Sequence, residues 1–234
     1  MTTTTALPAA AGTALRPALR PVVRPARPGE EDALAHLLAA AFADDALMLW
    51  AFPDPGHRAR VMPAFFRVHV EQCLAHRGAL VAHRATTGDD TAQDGEPLGA
   101  LLFLPPGHWD DPGPKDGTAA RALAEAIDAA GHDGPARRLA AITRLQTLRH
   151  PRHRSHHYLA FVGVHPDARR TRTGRALLHA FLAEVDATGQ AAYAETSSPG
   201  GAHLLADGGF TRFGEAIALP GGGPRLAPVW RGPR

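Results

Sequence analysis

The 234-residue chain contains a single cysteine, Cys73, and a single lysine, Lys115. One cysteine excludes an internal disulfide, and the apolar surroundings of Cys73 favour a small packed residue over a nucleophile. Aromatic residues make up only 6% of the chain, and Tyr158 and Tyr193 are its two tyrosines. Chemistry that needs a phenol is therefore confined to two positions.

The chain also lacks long apolar runs. None approaches the roughly 20 residues that a membrane-spanning helix needs. Residues 1–20 are rich in Thr, Ala and Pro, without the basic start and apolar centre of a secretory signal, and are expected to form a disordered arm. Together with the single cysteine, these absences predict a cytoplasmic protein that does not act at a membrane.

The chain also has little excess of one charge sign over the other. The net charge is +2, so nucleic-acid binding is not expected. The local exception is a cluster of four arginines, namely Arg169, Arg170, Arg172 and Arg175. This cluster is short and suits a small polyanion.

Hydrophobic periodicity predicts a regular succession of strands and helices. Strands are expected at 21–26, 79–85, 98–104, 158–164, 191–197, 210–219 and 225–231, and helices at about 30–42, 57–76, 118–130, 135–149 and 175–187, with a further short helix within 198–210. This order predicts a mixed α/β sheet with flanking helices, in a single domain over residues 21–234 with a helical insert at about 112–152.

The most informative stretch is a strand, a basic turn and a helix. The apolar run 158–164 is followed by a turn rich in Thr and Arg and then by the amphipathic segment 175–187. The first amides of a helix have no internal partner and carry partial positive charge, so such a turn can bind phosphate. A right-handed crossover here also predicts parallel pairing of the two strands that flank the helix.

This arrangement resembles the cofactor-binding core of the GNAT superfamily of N-acetyltransferases. In that family the turn reads Gln/Arg-x-x-Gly-x-Gly/Ala, and its amides hold the pyrophosphate of acetyl-CoA. Arg169 and Gly174 match, whereas Arg172 stands where the family has its first glycine. The Arg172 side chain either blocks close approach of the backbone to phosphate or supplies a guanidinium to it.

The resemblance continues downstream, where Glu195-Thr-Ser ends a strand and Gly209-Phe210 begins another. Puromycin acetyltransferase-like members of the family are similar at the first of these points. Gly201 replaces the family's Asn, and Leu205 replaces the Tyr that usually donates a proton to the departing thiolate. The resemblance is strong over 156–213 and loose elsewhere.

The resemblance implies a GNAT-like fold of about seven strands with a splayed parallel pair, and direct acetyl transfer from acetyl-CoA to a small-molecule amine. A homodimer is a further expectation. The main chain of three strand residues would hold the thioester, and the turn would hold the phosphates. The expected cofactor-binding residues are Val162, Gly163, Val164, Arg169, Arg170, Thr171, Arg172, Thr173, Gly174 and Arg175.

Candidates for proton transfer lie on the following strand. Glu195, at the strand end beside the expected opening, is either a general base with a raised pKa or a surface or salt-bridged glutamate. Tyr193 lies two residues earlier and so on the same face, and it is either a substitute proton donor or a packing residue.

Acceptor binding is expected at the junction of the first two helices. Asp44, Asp45, Trp50 and Phe52 combine carboxylates with aromatic rings, which suits a cationic amine. Their ordinary structural roles would be helix capping and core packing. No metal ligand is expected, because no cysteine or carboxylate joins the histidines at 153–157 at ligand spacing.

Two departures from the family pattern, Arg172 and Leu205, motivate an alternative function. A degenerate GNAT-fold protein would bind a ligand or a partner without transferring acetyl, or would catalyse a reaction without CoA.

Overall fold

A computed structural model of the protein describes residues 21–84, 96–111, 117–128 and 134–234. The predicted disordered arm at 1–20 and nearly all of the polar loop predicted at 86–96 lie outside the described residues. Within those residues, no helix has both the length and the apolar character that crossing a membrane requires.

Eight strands among the described residues form a mixed sheet in the order β1-β2-β3-β4-β5-β8-β6, and β7 pairs with β8. All pairings are antiparallel except that of β4 with β5, which is parallel as predicted. The strands are β1 (Pro21–Pro25), β2 (Ala79–Arg84), β3 (Gly99–Leu104), β4 (His156–Val164), β5 (Ala191–Thr196), β6 (Thr211–Arg212), β7 (Ile217–Ala218) and β8 (Arg225–Arg231).

Helices cover both faces of the sheet, which confirms the predicted mixed α/β class. They are α1 (Glu31–Ala41), α2 (Ala46–Ala51), α3 (Pro55–Ala75), α4 (Thr118–Asp128), α5 (Gly134–Arg149), α6 (Thr173–Ala187) and α7 (Pro199–Asp207). Side-chain caps fix three of the starts, because Asp45, Asp54 and Ser198 accept hydrogen bonds from the first turns of α2, α3 and α7.

The core lies in two layers, because successive side chains of a strand point to opposite faces. On β3, Leu102 and Leu104 pack against α1 and α3, while Leu101 and Phe103 pack against α6. Both faces of β3 are therefore buried, which explains its continuous apolar run.

The C-terminal strand predicted at 210–219 is interrupted, which corrects the sequence-based expectation. It forms β6 and β7, both antiparallel to β8, on either side of a bend that includes Gly214 at φ +70°. Pro228 of β8 lies opposite the bend, and its carbonyl accepts from Phe213 N–H at 2.9 Å, whereas its own nitrogen has no hydrogen to donate.

The parallel pair separates part-way along its length. β4 and β5 pair from His156–Ala191 to Leu159–Ala194, and beyond that point β4 pairs only with β3 and β5 only with β8. The register of β3 against β4 shifts beside the separation, which leaves Ala160 as an extra residue. This bulge bends β4 and adds to its local twist. The splayed pair expected from the sequence is present, and it opens a gap in the sheet.

A stability prediction follows from the junction between α3 and β2. A Cβ on Gly78 would lie 1.9 Å from the carbonyl oxygen of Phe103. Because Gly78 N–H donates to Cys73 O and Gly78 O accepts from Phe103 N–H, both at 2.7 Å, the junction cannot shift freely. We expect Gly78→Ala to lower the free energy of unfolding by about 3 kcal/mol, as measured by urea denaturation.

Gly134→Ala is the matched control, since nothing lies within 4 Å of its added Cβ. This control should leave the free energy of unfolding unchanged or raise it by up to about 1 kcal/mol. Equal effects of the two substitutions would contradict the close approach at Gly78.

Candidate functional site

The turn between β4 and α6 adopts a left-handed backbone at two arginines. Arg170 and Arg172 have φ values of +64° and +67°, in the region that favours glycine. Arg172, which stands at the glycine position of the family pattern, thus keeps a glycine-like conformation at a cost of about 1–2 kcal/mol. The Thr171 hydroxyl, which donates to Ala168 O at 2.5 Å and lies 2.7 Å from the Thr173 hydroxyl, braces the turn.

The N-terminus of α6 is left open by this turn. No side chain in the described part of the chain caps the helix, and the first intrahelical acceptor is Arg172 O, which accepts from Ala176 N–H at 3.0 Å. Among the described residues, the amides of Thr173, Gly174 and Arg175 donate to no acceptor. Three free amides at the positive end of a 15-residue helix make an anion site.

These amides face a cleft of about 710 Å³, here called the α6 cleft. Nine of the ten predicted cofactor-binding residues line it, and the tenth, Thr171, braces the turn instead. The lining comes from the α1–α2 junction, β4, the turn, α6 and α7: Ala41, Phe42, Asp44, Asp45, Val162, Gly163, Val164, Ala168, Arg169, Arg170, Arg172, Thr173, Gly174, Arg175, Ser198, Gly200, Gly201 and Leu204.

The four arginines of the cluster are exposed at this cleft. Arg169 reaches across to the carbonyl of Ala41 at 3.2 Å, and Arg175 lies 3.4 Å from the exposed carboxylate of Asp207. The Arg172 side chain makes no hydrogen bond within the described residues and is exposed to solvent, so it does not plug the anion site. Of the two alternatives left open by the sequence, the geometry favours a guanidinium available to phosphate.

Glu195 lies on β5 just beyond its last pairing with β4. Tyr158 and Tyr193 donate their phenol hydrogens to its two carboxylate oxygens, at 2.9 and 2.8 Å, and Gln146 Nε2 lies 3.5 Å away. Burial raises the pKa of Glu195, and the three donors oppose that rise without cancelling it. Burial also raises the pKa of both tyrosines, which therefore stay protonated as donors.

Glu195 belongs to a second cavity, of about 460 Å³, which we call the insert cavity. Its walls are α3, β4, the Trp109–Asp111 segment and the helices α4 and α5 of the insert. Its lining is Phe65, Val68, His69, Gln72, Leu104, Trp109, Asp110, Asp111, Leu123, Leu139, Ile142, Thr143, Gln146, Thr147, His150, Tyr158, Ala160, Phe161 and Glu195. Neighbouring residues of β4 face the two sites, since Phe161 lines the insert cavity and Val162 the α6 cleft.

The histidines of the insert cavity are uncharged at neutral pH. Burial lowers the pKa of His69 to about 4. Burial, with the nearby His156 and Arg152, lowers the pKa of His150 to about 3. His150 also stacks on Trp109 with ring centroids 3.9 Å apart. A cationic ligand in this cavity would meet carboxylates and neutral rings, with no opposing charge from these imidazoles.

The structure corrects three of the sequence-based assignments. Tyr193 is fully buried and lines neither cavity, so it positions Glu195 and does not reach a departing thiolate. Phe52 is fully buried against Phe65, and Trp50 packs under the Arg138 guanidinium, so neither belongs to an acceptor wall.

Asp44 and Asp45 do line the α6 cleft, although Asp45 is already engaged. It caps α2 by accepting from Leu47 N–H at 2.9 Å, and it accepts from the Ser197 hydroxyl at 2.9 Å. Leu205, at the family's tyrosine position, is 2% exposed within the core, whereas its neighbour Leu204 faces the cleft.

Comparison with known proteins places the fold. No protein-family model matches the sequence, and a search of curated proteins gives no match. Among solved structures, a protein described as histone acetyltransferase HPA2 and related acetyltransferase, from Corynebacterium glutamicum, superimposes with a TM-score of 0.62 at 24% identity, over 92% of this chain and 97% of that one. The chain has the GNAT fold.

Two further structures agree. The Drosophila melanogaster polyamine N-acetyltransferase, which forms N-acetylagmatine, gives a TM-score of 0.55 at 15% identity, over 91% of this chain and 100% of that one. An acetyltransferase of the GNAT family from Desulfovibrio desulfuricans gives 0.53 at 14% identity, over 91% and 99%. At identities this low, the superpositions establish the GNAT fold alone, and the reaction has to be argued from the site.

The raised pKa of Glu195 makes stability depend on pH. Below its ordinary value of 4.5 the carboxyl is protonated in both the folded and the unfolded state. As pH rises through the raised folded value, the folded state alone carries the cost of a buried charge, so it loses stability. We expect Glu195→Gln to raise Tm relative to the wild type at pH 8 and to lose that advantage at pH 4.

Thermal denaturation of both proteins across this pH range measures the effect. Glu215→Gln, which removes an exposed carboxylate, is the control for the loss of one carboxylate as such. A Tm difference for Glu195→Gln that does not vary with pH would contradict the assignment of a buried, raised-pKa carboxyl.

Proposed function

We propose that this protein is an N-acetyltransferase that moves an acetyl group from acetyl-CoA directly to a small-molecule amine. The observation that carries the proposal is the open N-terminus of α6. Three of its amides find no acceptor among the described residues, and they lie with an arginine cluster at a cleft lined by the part of β4 beyond its pairing with β5. A pyrophosphate linker fits this donor set, because backbone amides and guanidinium groups are the phosphate ligands of choice.

The α6 cleft suits acetyl-CoA in its chemistry and extent. The amides of Thr173, Gly174 and Arg175 and the exposed arginines would hold the phosphates. Main-chain groups of Val162–Val164, which line the same cleft, would hold the thioester end. Gly163 lets α1 approach this strand, since a Cβ there would lie 2.7 Å from Leu38 Cδ2. Acetyl-CoA supplies an acetyl group activated as a thioester.

Glu195 is the proposed general base. A cationic amine entering the insert cavity would lose a proton to the Glu195 carboxylate, and the raised pKa brings this group closer to the amine's range. The neutral amine nitrogen would then form a bond to the acetyl carbon while the carbon–sulfur bond breaks, and the new amide nitrogen would release its surplus proton to water. The thiolate takes a proton from water, and a thiol with a pKa near ~8.5 leaves readily enough for this.

Tyr158 and Tyr193 hold the Glu195 carboxylate in place. Each phenol holds one carboxylate oxygen, which fixes the plane of the carboxyl group and leaves a lone pair on each oxygen for the amine proton. Because both phenols are buried donors with raised pKa values, they do not compete as bases.

The insert cavity is the proposed acceptor site. Its volume of about 460 Å³ lies within the range of small-molecule sites. The rings of Phe65, Trp109 and Phe161 and several aliphatic side chains favour an amine with an aromatic or branched apolar body. One of the fold neighbours, the polyamine N-acetyltransferase, acts on amines by its description, which is consistent with the reaction class.

The geometry of the two departures from the family pattern gives little support to a degenerate protein that does not transfer acetyl. Arg172 keeps a glycine-like backbone and an exposed side chain, and Leu205 faces the core, away from the cleft. Neither residue obstructs the anion site, so no specific observation favours the alternative function.

Calorimetry with acetyl-CoA tests the cofactor half of the proposal. We expect micromolar binding by the wild type and roughly tenfold weaker binding by Arg172→Gly, because one charge-assisted contact to phosphate is lost while the left-handed backbone is kept. Arg60→Ala, which removes an exposed charge from α3 outside the cleft, should bind like the wild type. The absence of binding heat when acetyl-CoA is added to wild-type protein at high concentration would contradict the transferase proposal.

Steady-state kinetics test the role of Glu195 as the general base. A panel of aromatic and branched aliphatic amines is screened for release of CoA thiol, and the best acceptor is used for kinetics. Glu195→Gln should lower kcat by about 10²–10⁴-fold, the usual contribution of one acid–base group, with acetyl-CoA affinity unchanged. Glu215→Gln serves as the control. Full activity of Glu195→Gln alongside normal cofactor binding would remove Glu195 as the base.

A further inference from the structure

Three possible metal ligands meet at the rim of the insert cavity. His76 follows the last turn of α3, and His108 and Asp111 lie on the turn after β3. They come from segments about 30 residues apart, so no local ligand spacing marks them in the sequence. They are also separate from the histidines at 153–157, for which no metal was expected.

The ligand atoms already lie close together. Asp111 Oδ2 is 2.7 Å from His108 Nδ1 and 3.4 Å from His76 Nε2, and the three atoms all lie within 4.8 Å of one another. In a tetrahedral site with metal–ligand bonds of about 2.0–2.1 Å, neighbouring ligand atoms are about 3.4 Å apart. The three side chains are half-buried or partly exposed, at 22%, 44% and 37% for His76, His108 and Asp111, so they have room for the small adjustment required.

The backbone that carries the cluster is held independently of any ion. Asp111 N–H donates to His108 O at 3.2 Å, and Gln72 Nε2 of α3 donates to Asp111 O at 2.6 Å. The His76 and His108 rings lie with centroids 4.4 Å apart. The turn is therefore fixed against α3 before a metal binds, which reduces the ordering cost of binding.

We propose that His76, His108 and Asp111 form a binding site for one divalent transition-metal ion of the zinc class. Two imidazoles and one carboxylate suit zinc and its neighbours in the first transition row, whereas magnesium and calcium prefer sites made of oxygen alone. Three protein ligands leave a fourth coordination position for water or for a ligand in the adjacent cavity.

The site has a structural consequence for the cavity. Trp109 and Asp110 lie between two of the ligands and line the insert cavity, and Trp109 stacks on His150. An ion shared by the turn and by His76 ties this part of the cavity wall to the end of α3. Metal binding itself does not depend on the proposed acetyl transfer, so a negative result for one proposal leaves the other unaffected.

Zinc titration tests the site directly. Tag-free, chelator-treated full-length protein is titrated with zinc chloride by calorimetry, and with cobalt chloride while the visible absorption of tetrahedral cobalt is recorded. We expect one equivalent to bind at micromolar affinity or better, with a rise in Tm. His76→Ala, His108→Ala and the near-isosteric Asp111→Asn should each weaken binding by about tenfold or more.

His203→Ala and His153→Ala are the controls, because they remove histidines that lie outside the cluster. Metal-free Tm values of all variants verify folding, and these should stay within a few degrees of the wild type because the three side chains are partly exposed. The proposal is overturned if wild-type protein binds no zinc, or if the cluster variants bind as tightly as the controls.

Discussion

The separation of β4 and β5 after Leu159 and Ala194 is the constraint on which the rest of the site depends. A buried sheet normally keeps its backbone groups paired, because an unpaired one costs free energy. Here each strand keeps a partner on its outer side, β3 for β4 and β8 for β5, so the gap opens without dissolving the sheet. The positions of Glu195 and of Val162–Val164, which line the insert cavity and the α6 cleft, lie beyond that last pairing.

The separation also explains why a carboxylate can lie inside the molecule. Glu195 comes directly after Ala194, the last residue of β5 that pairs with β4, and its oxygens take hydrogen bonds from Tyr158 and Tyr193. These two residues are the whole tyrosine content of the chain, and they face each other across the paired part of the strands. Burial raises the pKa of Glu195, and the donors Tyr158, Tyr193 and Gln146 lower it by less, so the carboxyl is both fixed in place and more basic than usual.

The α6 cleft could be predicted from the sequence because its information is local. One strand, one turn and one helix in succession dictate an open helix N-terminus, and nine of ten assigned residues lie at the α6 cleft. The insert cavity could not be predicted, because it joins α3, β4, the Trp109 turn and both insert helices, which are far apart in the sequence. Trp50 and Phe52 were misassigned for the same reason: an aromatic beside acidic residues has the same pattern whether it packs inward or faces a ligand.

Matching one residue to a family motif ignores local geometry. For Leu205 the direction of the side chain around its helix decides what it contacts, and for Arg172 the backbone angle decides it. On α7 one step along the helix turns a side chain by about 100°, and that step separates the buried Leu205 from Leu204, which lines the cleft. At Arg172 the backbone retains the left-handed angle that glycine would adopt most easily, despite its cost. Strain of this kind persists only where the surroundings over-determine it, and here the Thr171 and Thr173 hydroxyls do so. The conformation that exposes the helix amides is therefore held by the threonines of the turn, which leaves the arginine side chain free to face an anion.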